Sequence, residues 1–401
     1  MKPNNLRILG LDVSKSSVSA CLLTHKVIKP REFYHEYCFQ HLLANASGIK
    51  ALLALKPDIA VMEPTGVNYS KLWGTHLARA GVEVRLVGHK ELRRYRETVD
   101  LPDKDDDADA LALACYCFDY LDEPRRFVQV RDYTVTRIRE LVLRLAHLNR
   151  VQSPIINRLR QDLAWQFPEV AYVRSMRGAA GEVPLLWGWL SGERAASRYD
   201  QLYSTTCGLG ITNTVRLHAR RLCDLQKEEY VIEAELENLL ADSRFEPYCK
   251  VFTRFGFGSR LIAILLSQIY PLQNYLDVNG KPEVKIRKGR KSGKPTKRYL
   301  SLRRFQKALG MAPSQRSSGD VKSSKVVGGS DLCRKALWQW VFTRIEPKRS
   351  RLSNEIGQAL GKKLDEEKAA GRPVKLVRSR VAVAGVKLLF KELAVAIALR
   401  G

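Results

Sequence analysis

The chain is short of acid, of paired cysteine and of long apolar runs, and each shortage excludes something. Asp and Glu number 42 against 68 Lys and Arg, a formal net charge of +26 over 401 residues. Such a surplus favours a polyanionic partner, most simply nucleic acid. An anionic membrane surface fits less well, because no long basic amphipathic anchor stands out. The eight cysteines are scattered. Cys115 and Cys117 form a C-x-C, but no C-x-x-C pair or Cys/His ladder occurs, which argues against structural zinc. Buried free thiols in a reducing cytoplasm are the expectation. No apolar run reaches the ~18 residues that a spanning helix needs. Even residues 381–399 are cut by Lys387, Lys391 and Glu392. The first residues lead straight into a strand-like run and carry no signal-peptide core. The expected setting is therefore cytoplasmic, with no membrane partner.

What is present is a globular composition, 45% hydrophobic, arranged in segments of different texture. Residues 6–13 read as a buried strand ending at Asp12, with 17–23 and 33–39 as antiparallel partners. Residues 41–55 look helical, and 58–62 form a short apolar strand running into Glu63. A helix at 69–80, a strand at 82–87 and a helix at 107–121 follow. That order predicts an α/β layered domain over residues 1–125. Residues 126–245 read as a helical, coiled-coil-like arm built on 134–163, with Pro154 as a kink or break, and on 212–240. Residues 246–345 carry a helix at 259–269, a basic insertion and a turn-rich loop at 308–319. Residues 346–401 close the chain as helices.

One stretch defies the overall charge. Asp103, Asp105, Asp106, Asp107 and Asp109 crowd the start of the 107–121 helix. Neighbouring carboxylates repel and raise one another's pKa. The plain alternative is a solvated helix N-terminus, where Asp caps and favours the macrodipole. Two further acids argue for more. Asp12 and Glu63 each end a buried apolar strand, where a carboxylate is costly unless paired, protonated or metal-bound. Asp106 and Asp109, three apart, share a helix face. Two strands and one helix would so supply four carboxylates, an oxygen cage suited to Mg²⁺, or Mn²⁺ in its place. Two such ions about 4 Å apart stabilise attacking and leaving oxygens in phosphodiester chemistry. Asp105 could take the place of Asp106 if the helix begins differently.

These residues carry a resemblance. Gly10-Leu-Asp12-Val-Ser-Lys15, Met62-Glu63-Pro-Thr-Gly66 and the run from Lys104 through Asp106 and Asp109 to Ala114 resemble the DEDD transposases of bacterial insertion sequences. This is the family numbered one-ten, with its pilin-gene invertase relatives. Its pattern Lys-x-Asp-x-x-Asp-Ala-x-x-Leu-Ala fits with Lys104, Asp106, Asp109, Ala110, Leu113 and Ala114. The resemblance implies a RuvC-like, RNase H-type N-terminal domain, a helical middle and a mainly α C-terminal transposase domain. It assigns the metal-binding quartet as Asp12, Glu63, Asp106 and Asp109. Further on, Arg254-Phe-Gly-Phe-Gly258 is similar to the family's Pro-Gly-Ile-Gly, with Arg254 in place of Pro. The segment from Ala308 to Pro313 and on to Ser318-Gly319 matches its Gly-Leu-x-Pro and Ser-Gly. Gly329 with Arg334 and Leu337 resembles its last motif, from which Ser330 and Cys333 depart.

In that family the serine of Ser-Gly is the DNA-cleaving nucleophile, which here implies Ser318. From the residues alone, Ser314, Ser317 and Ser323 satisfy the same description, since a serine hydroxyl needs a base, a metal or nearby positive charge to react. The acids lie far from Ser318 in sequence, so a composite site is implied. Residues 284–307 contain no acid and present Lys285, Arg287, Lys288, Arg290, Lys291, Lys294, Lys297, Arg298, Arg303 and Arg304, with Tyr299 and Phe305 for stacking. Charge of this density binds phosphates with little sequence reading. The resemblance further implies donor and target DNA and a structured non-coding RNA encoded by the element. A homodimer or tetramer is expected, because two duplexes must be cut together. The reading is thus a transposase or recombinase. A metal-only RuvC-like nuclease, an invertase without guide RNA and a non-catalytic nucleic-acid-binding protein are the alternatives.

Overall fold

The computed structural model describes residues 6–398, apart from 66–67, 102–104, 129–131, 179, 289–292, 319–320 and 327. For 313–318, 321–326 and 398 it describes the backbone alone. The chain forms two compact units, Met1–Arg131 and Asp132–Gly401.

The first unit is one five-stranded sheet between two layers of helices. Strands β1 (Ile8–Val13) and β2 (Ser17–Leu23) are followed by helix α1 (Pro30–Glu36), β3 (Gln40–Leu43) and α2 (Ala46–Ala54). Then come β4 (Ile59–Met62), α3 (Tyr69–Arg79), β5 (Glu83–Leu86), α4 (His89–Thr98) and α5 (Asp106–Asp119). The strand order is β3-β2-β1-β4-β5. β1, β2 and β3 pair antiparallel, while β1 with β4 and β4 with β5 pair parallel. Alternation along β1 decides the layers. Leu9, Leu11 and Val13 pack with Ala60, Met62, Leu52, Trp73 and Leu77 on the α2–α3 face. Ile8, Ile59 and Val61 pack on the opposite face against α4 and α5. α5 is buried continuously from Ala110 to Cys117, which explains its near-absence of polar residues.

Two expectations fail here. Residues 33–39 are not the third strand, because Pro30 sits in the first turn of α1, where its missing N–H costs nothing. Phe33 and Tyr37, one turn apart, stack at 5.0 Å. The third strand is β3, an exposed edge strand that takes up the first residues of the segment read as helix. Helix α4, almost wholly polar outside its buried Leu92, Tyr95 and Arg96, has no counterpart in the sequence reading.

The second unit is mainly helical. Helix α6 (Tyr133–Gln166) and, after α7 (Leu185–Ser191) and α8 (Ser197–Ser204), helix α9 (Asn213–Leu240) run antiparallel. Arg137 meets Glu235 at 2.6 Å and Arg144 meets Glu228 at 2.5 Å. Pro154 lies inside α6 without ending it, flanked by buried Gln152 and Leu159. Next come α10 (Glu246–Arg254), α11 (Ser259–Ile269), the hairpin β6 (Val284–Lys288) and β7 (Pro295–Tyr299), and α12 (Leu300–Ala308). The expected turn-rich loop is instead a second hairpin, β8 (Pro313–Ser318) with β9 (Val321–Val326). Helices α13 (Asp331–Trp340), α14 (Glu355–Ala369) and α15 (Val374–Ala398) close a core that includes Phe252, Phe255, Phe305, Trp340 and Phe390. Among the described residues no helix is long and apolar enough to cross a membrane. All eight cysteines are free thiols, five of them buried.

Candidate active site

Asp12 occupies the fifth position of β1, so it projects to the same face as Ile8 and Gly10, the face covered by α5. Gly10 is why α5 can lie there. A Cβ on Gly10 would stand 2.0 Å from the Ala110 carbonyl oxygen and 2.7 Å from the Ala114 nitrogen, so the helix rests directly on the strand. β4 runs parallel to β1 with Leu11 opposite Met62, and Glu63 is the next residue after that pair. Glu63 shares the parity of Ile59 and Val61 and therefore the same face. Two strand ends and the first turn of α5 thus bring four acids into one neighbourhood.

The electrostatics follow from that crowding. Burial, then the charges of Asp109, Asp106 and Glu63, then a hydrogen bond with Asp106, push the Asp12 carboxyl from 3.8 up to about 7. Two basic side chains come from α4, the helix the sequence did not reveal. The His89 ring, at Nδ1, lies 2.5 Å from Glu63 Oε2. Buried Arg96 reaches Asp109 Oδ1 at 3.1 Å. Among the described residues no three Asp, Glu, His or Cys side chains close around a single point. Glu63 and Asp109 are instead turned to His89 and Arg96. Of these two partners only the Arg96 guanidinium carries a fixed charge, so four carboxyl groups face one permanent cation. Oxygen donors in that number fit a hard divalent cation such as Mg²⁺ or Mn²⁺.

The flanking aspartates do other work. Asp105 caps α5, accepting the Ala108 N–H at 2.7 Å, and its second oxygen accepts the Tyr34 hydroxyl at 3.0 Å. The Asp107 carboxylate accepts the Ser19 hydroxyl and lies 3.5 Å from His41 Nε2. Asp106 is the one that meets Asp12. Asp103 and Lys104 lie outside the described residues.

The other expected site residues sit in the second unit. Ser318 ends β8 opposite Val321, with Ser314 and Ser317 on the same strand and Ser323 on β9. Their side chains are outside the described residues. The basic segment is an exposed two-stranded ribbon followed by α12. Lys285 pairs directly with Arg298, and Ile286 with Lys297. Like charges directly opposite destabilise a ribbon. Arg287, Lys288, Lys294 and Arg303 are exposed. Arg290 and Lys291 fall outside the described residues. Arg304 is tied to Glu283 at 2.9 Å. Tyr299 is 52% exposed and free to stack, but Phe305 is fully buried, between Tyr275 and Phe390. Phe305 is core because Leu302, Phe305 and Leu309 form the inner stripe of α12.

A family model described as Transposase, of the DEDD IS110 type, matches residues 9–168. A second, described as Transposase IS116/IS110/IS902 family, matches residues 292–355. Among solved structures, RuvC of Thermus thermophilus is 13% identical. The match spans 31% of this chain and 100% of that one, with a TM-score of 0.23. RuvC of the same organism in complex with a Holliday junction substrate is 14% identical, over 31% and 99% of the two chains, with a TM-score of 0.21. No curated protein sequence matches the chain.

Proposed function

The chain belongs to the IS110-family DEDD transposases, and from that premise we propose that it cuts and rejoins DNA through Ser318 with the help of the acid site. Its N-terminal unit has the RuvC-like, RNase H-type fold, in keeping with its family and with the strand order β3-β2-β1-β4-β5. Nucleases of this type work with divalent metal ions. The observation that carries the reading is the Asp12 carboxyl, held near neutrality by burial and three neighbouring acids. A site that so disfavours its own charge is completed by a cation.

Asp12, Glu63, Asp106 and Asp109 would hold the ion, which when bound neutralises phosphate charge and eases attack and departure of oxygen. Asp105 fixes the helix start, and Gly10 fixes the distance between α5 and β1. Arg96 orients Asp109, and His89 orients Glu63. The Ser318 oxygen attacks a DNA phosphodiester as its hydroxyl proton leaves. One Oγ–P bond forms while the bond from phosphorus to a deoxyribose oxygen breaks, and that oxygen takes up a proton. The phosphoserine diester conserves the bond energy. A strand-end hydroxyl from the partner duplex then attacks the phosphorus and releases the serine. The β6–β7 ribbon, with Lys285, Arg287, Lys297 and Arg298, grips phosphates. A two-stranded ribbon also has the width to enter a major groove.

Donor and target DNA are the substrates, brought together by a dimer or tetramer. A structured non-coding RNA of the element guides the choice of site. Its recognition rests on shape and phosphate contacts. Covalent protein–DNA trapped on a nicked duplex tests the nucleophile. Ser318→Ala should abolish the adduct, and an adduct that persists returns the reaction to a metal-only nuclease. Asp12→Ala and Glu63→Ala should each lose cleavage at every divalent-metal concentration. RNA that co-purifies with the protein, once sequenced, tests the guide.

A further inference from the structure

The second unit contains a basic cavity that the acid site does not use. It has a volume of about 490 Å³ and is lined by Arg139 of α6, Gln268 of α11, Arg304 and Lys307 of α12, and Gly329 and Ser330 just before α13. No carboxylate lines it among the described residues. Arg304 is neutralised by Glu283 and donates to the Tyr275 carbonyl at 3.2 Å. Arg139 is different. It is half-buried, and its only polar partner among the described residues is Gln268 Oε1, at 2.9 Å. That bond spends the Gln268 oxygen and leaves its amide nitrogen to donate elsewhere. Lys307 is exposed and forms no ion pair among the described residues. Among the described residues, two cations without counter-ions, one of them partly desolvated, therefore converge with an uncommitted amide donor. Partial burial of an unpaired guanidinium costs free energy, and a ligand that brings the anion restores the balance. A planar fork beside a point charge suits a phosphate. The Ser330 oxygen accepts the Cys333 N–H at 3.2 Å and so caps α13.

The position of the cavity names the ligand. The Ser330 N–H donates to the Ala308 carbonyl at 3.2 Å, and the Gly310 N–H to the Lys307 carbonyl at 3.0 Å. The Ser330 bond ties the segment that follows β9 to the end of α12 ahead of β8, so the cavity wall flanks in sequence the hairpin that carries Ser318. We propose that this cavity anchors a backbone phosphate of the DNA strand presented to that hairpin, through Arg139, Lys307 and the Gln268 amide. The choice of strand rests on the Ser318 reading; binding of a phosphate here does not.

The test is the salt dependence of binding by the full-length protein to a duplex DNA, and to an RNA of the same sequence. Wild type, Arg139→Gln, Lys307→Gln and Ser318→Ala are compared across KCl concentrations. Losing one phosphate contact on duplex DNA should lower the slope of log K against log salt by roughly 0.9. Arg139→Gln and Lys307→Gln should each show that drop, with several-fold weaker binding and unchanged thermal melting. Ser318→Ala should keep both affinity and slope. DNA slopes that do not move in either variant overturn the proposal, as does a loss confined to RNA. Should Arg139→Gln fail to fold, the exposed Lys307 alone decides it. Failure of the serine reading registers elsewhere, as an adduct that survives Ser318→Ala, and leaves the slopes untouched.

Discussion

A carboxyl group that titrates near neutrality makes the N-terminal unit sensitive to pH. Asp12 is raised from 3.8 to about 7, so the unfolded chain gives up this proton at lower pH than the folded one. Between those values the unfolded state binds fewer protons, and stability falls as pH rises through the window and levels above it. Asp12→Asn removes the loss. We expect it to melt above the wild type at about pH 8 without metal and alongside it at about pH 4, by calorimetry. The ceiling is about 4 kcal/mol, at ~1.4 kcal/mol per unit. Added Mg²⁺ should raise the wild-type melting temperature and move the variant less; equal shifts would remove Asp12 from the cation site. Gly10 supports a second prediction. Gly10→Ala drives a methyl group into the Ala110 carbonyl, a backbone atom that cannot rotate aside. A loss of about 1–3 kcal/mol is expected, together with a weakened response to Mg²⁺. At this scale the sequence told much about acids and little about their basic partners. Asp12 and Glu63 were visible as charges ending apolar strands. Their neighbours His89 and Arg96 were not, because a pairing across the fold leaves no local spacing to read.

Elements differ in how far their sequence constrains them. β1, β4, α5 and α11 were legible because each joins a clear apolar period to a burial that uses it. The third strand was misplaced because aromatic residues at 33–39 look strand-like, while Pro30 makes the same segment a good helix start. The basic segment was legible as charge but not as shape. Its ribbon and α12 respond to different rules, and two variants separate them. Tyr299→Ala should weaken single-stranded nucleic-acid binding by about 1–3 kcal/mol, the worth of one stacked base, with melting unchanged. Phe305→Ala should cost about 3–5 kcal/mol of stability, since the ring fills the core of the second unit. Fluorescence titration and thermal melting on both proteins distinguish the roles. If Phe305→Ala melted like wild type, the ring would not be core.

The molecule is built of two compact units, with Asp12, Glu63, Asp106 and Asp109 in one and Ser318 in the other. The sequence shows a change of texture after residue 125, because an α/β alternation and long helical stripes bury their apolar residues in different ways. Its surplus of cations is concentrated where few acids answer them, in the ribbon above all. Replacing both Lys297 and Arg298 by Gln should therefore flatten the salt dependence of DNA binding by roughly two phosphate contacts, with little change in melting. Alternation along β1 also bears on how the first unit finds its fold. Leu11 and Asp12 are neighbours, one facing Trp73 and Leu52, the other facing α5. A slip of β1 by a single residue would exchange them and thrust a carboxylate among the apolar side chains of α2 and α3. The cost of burying that charge unpaired makes the slipped pairing untenable. Asp12 thus also acts as a proofreader of assembly, rejecting a slip of β1 by one residue.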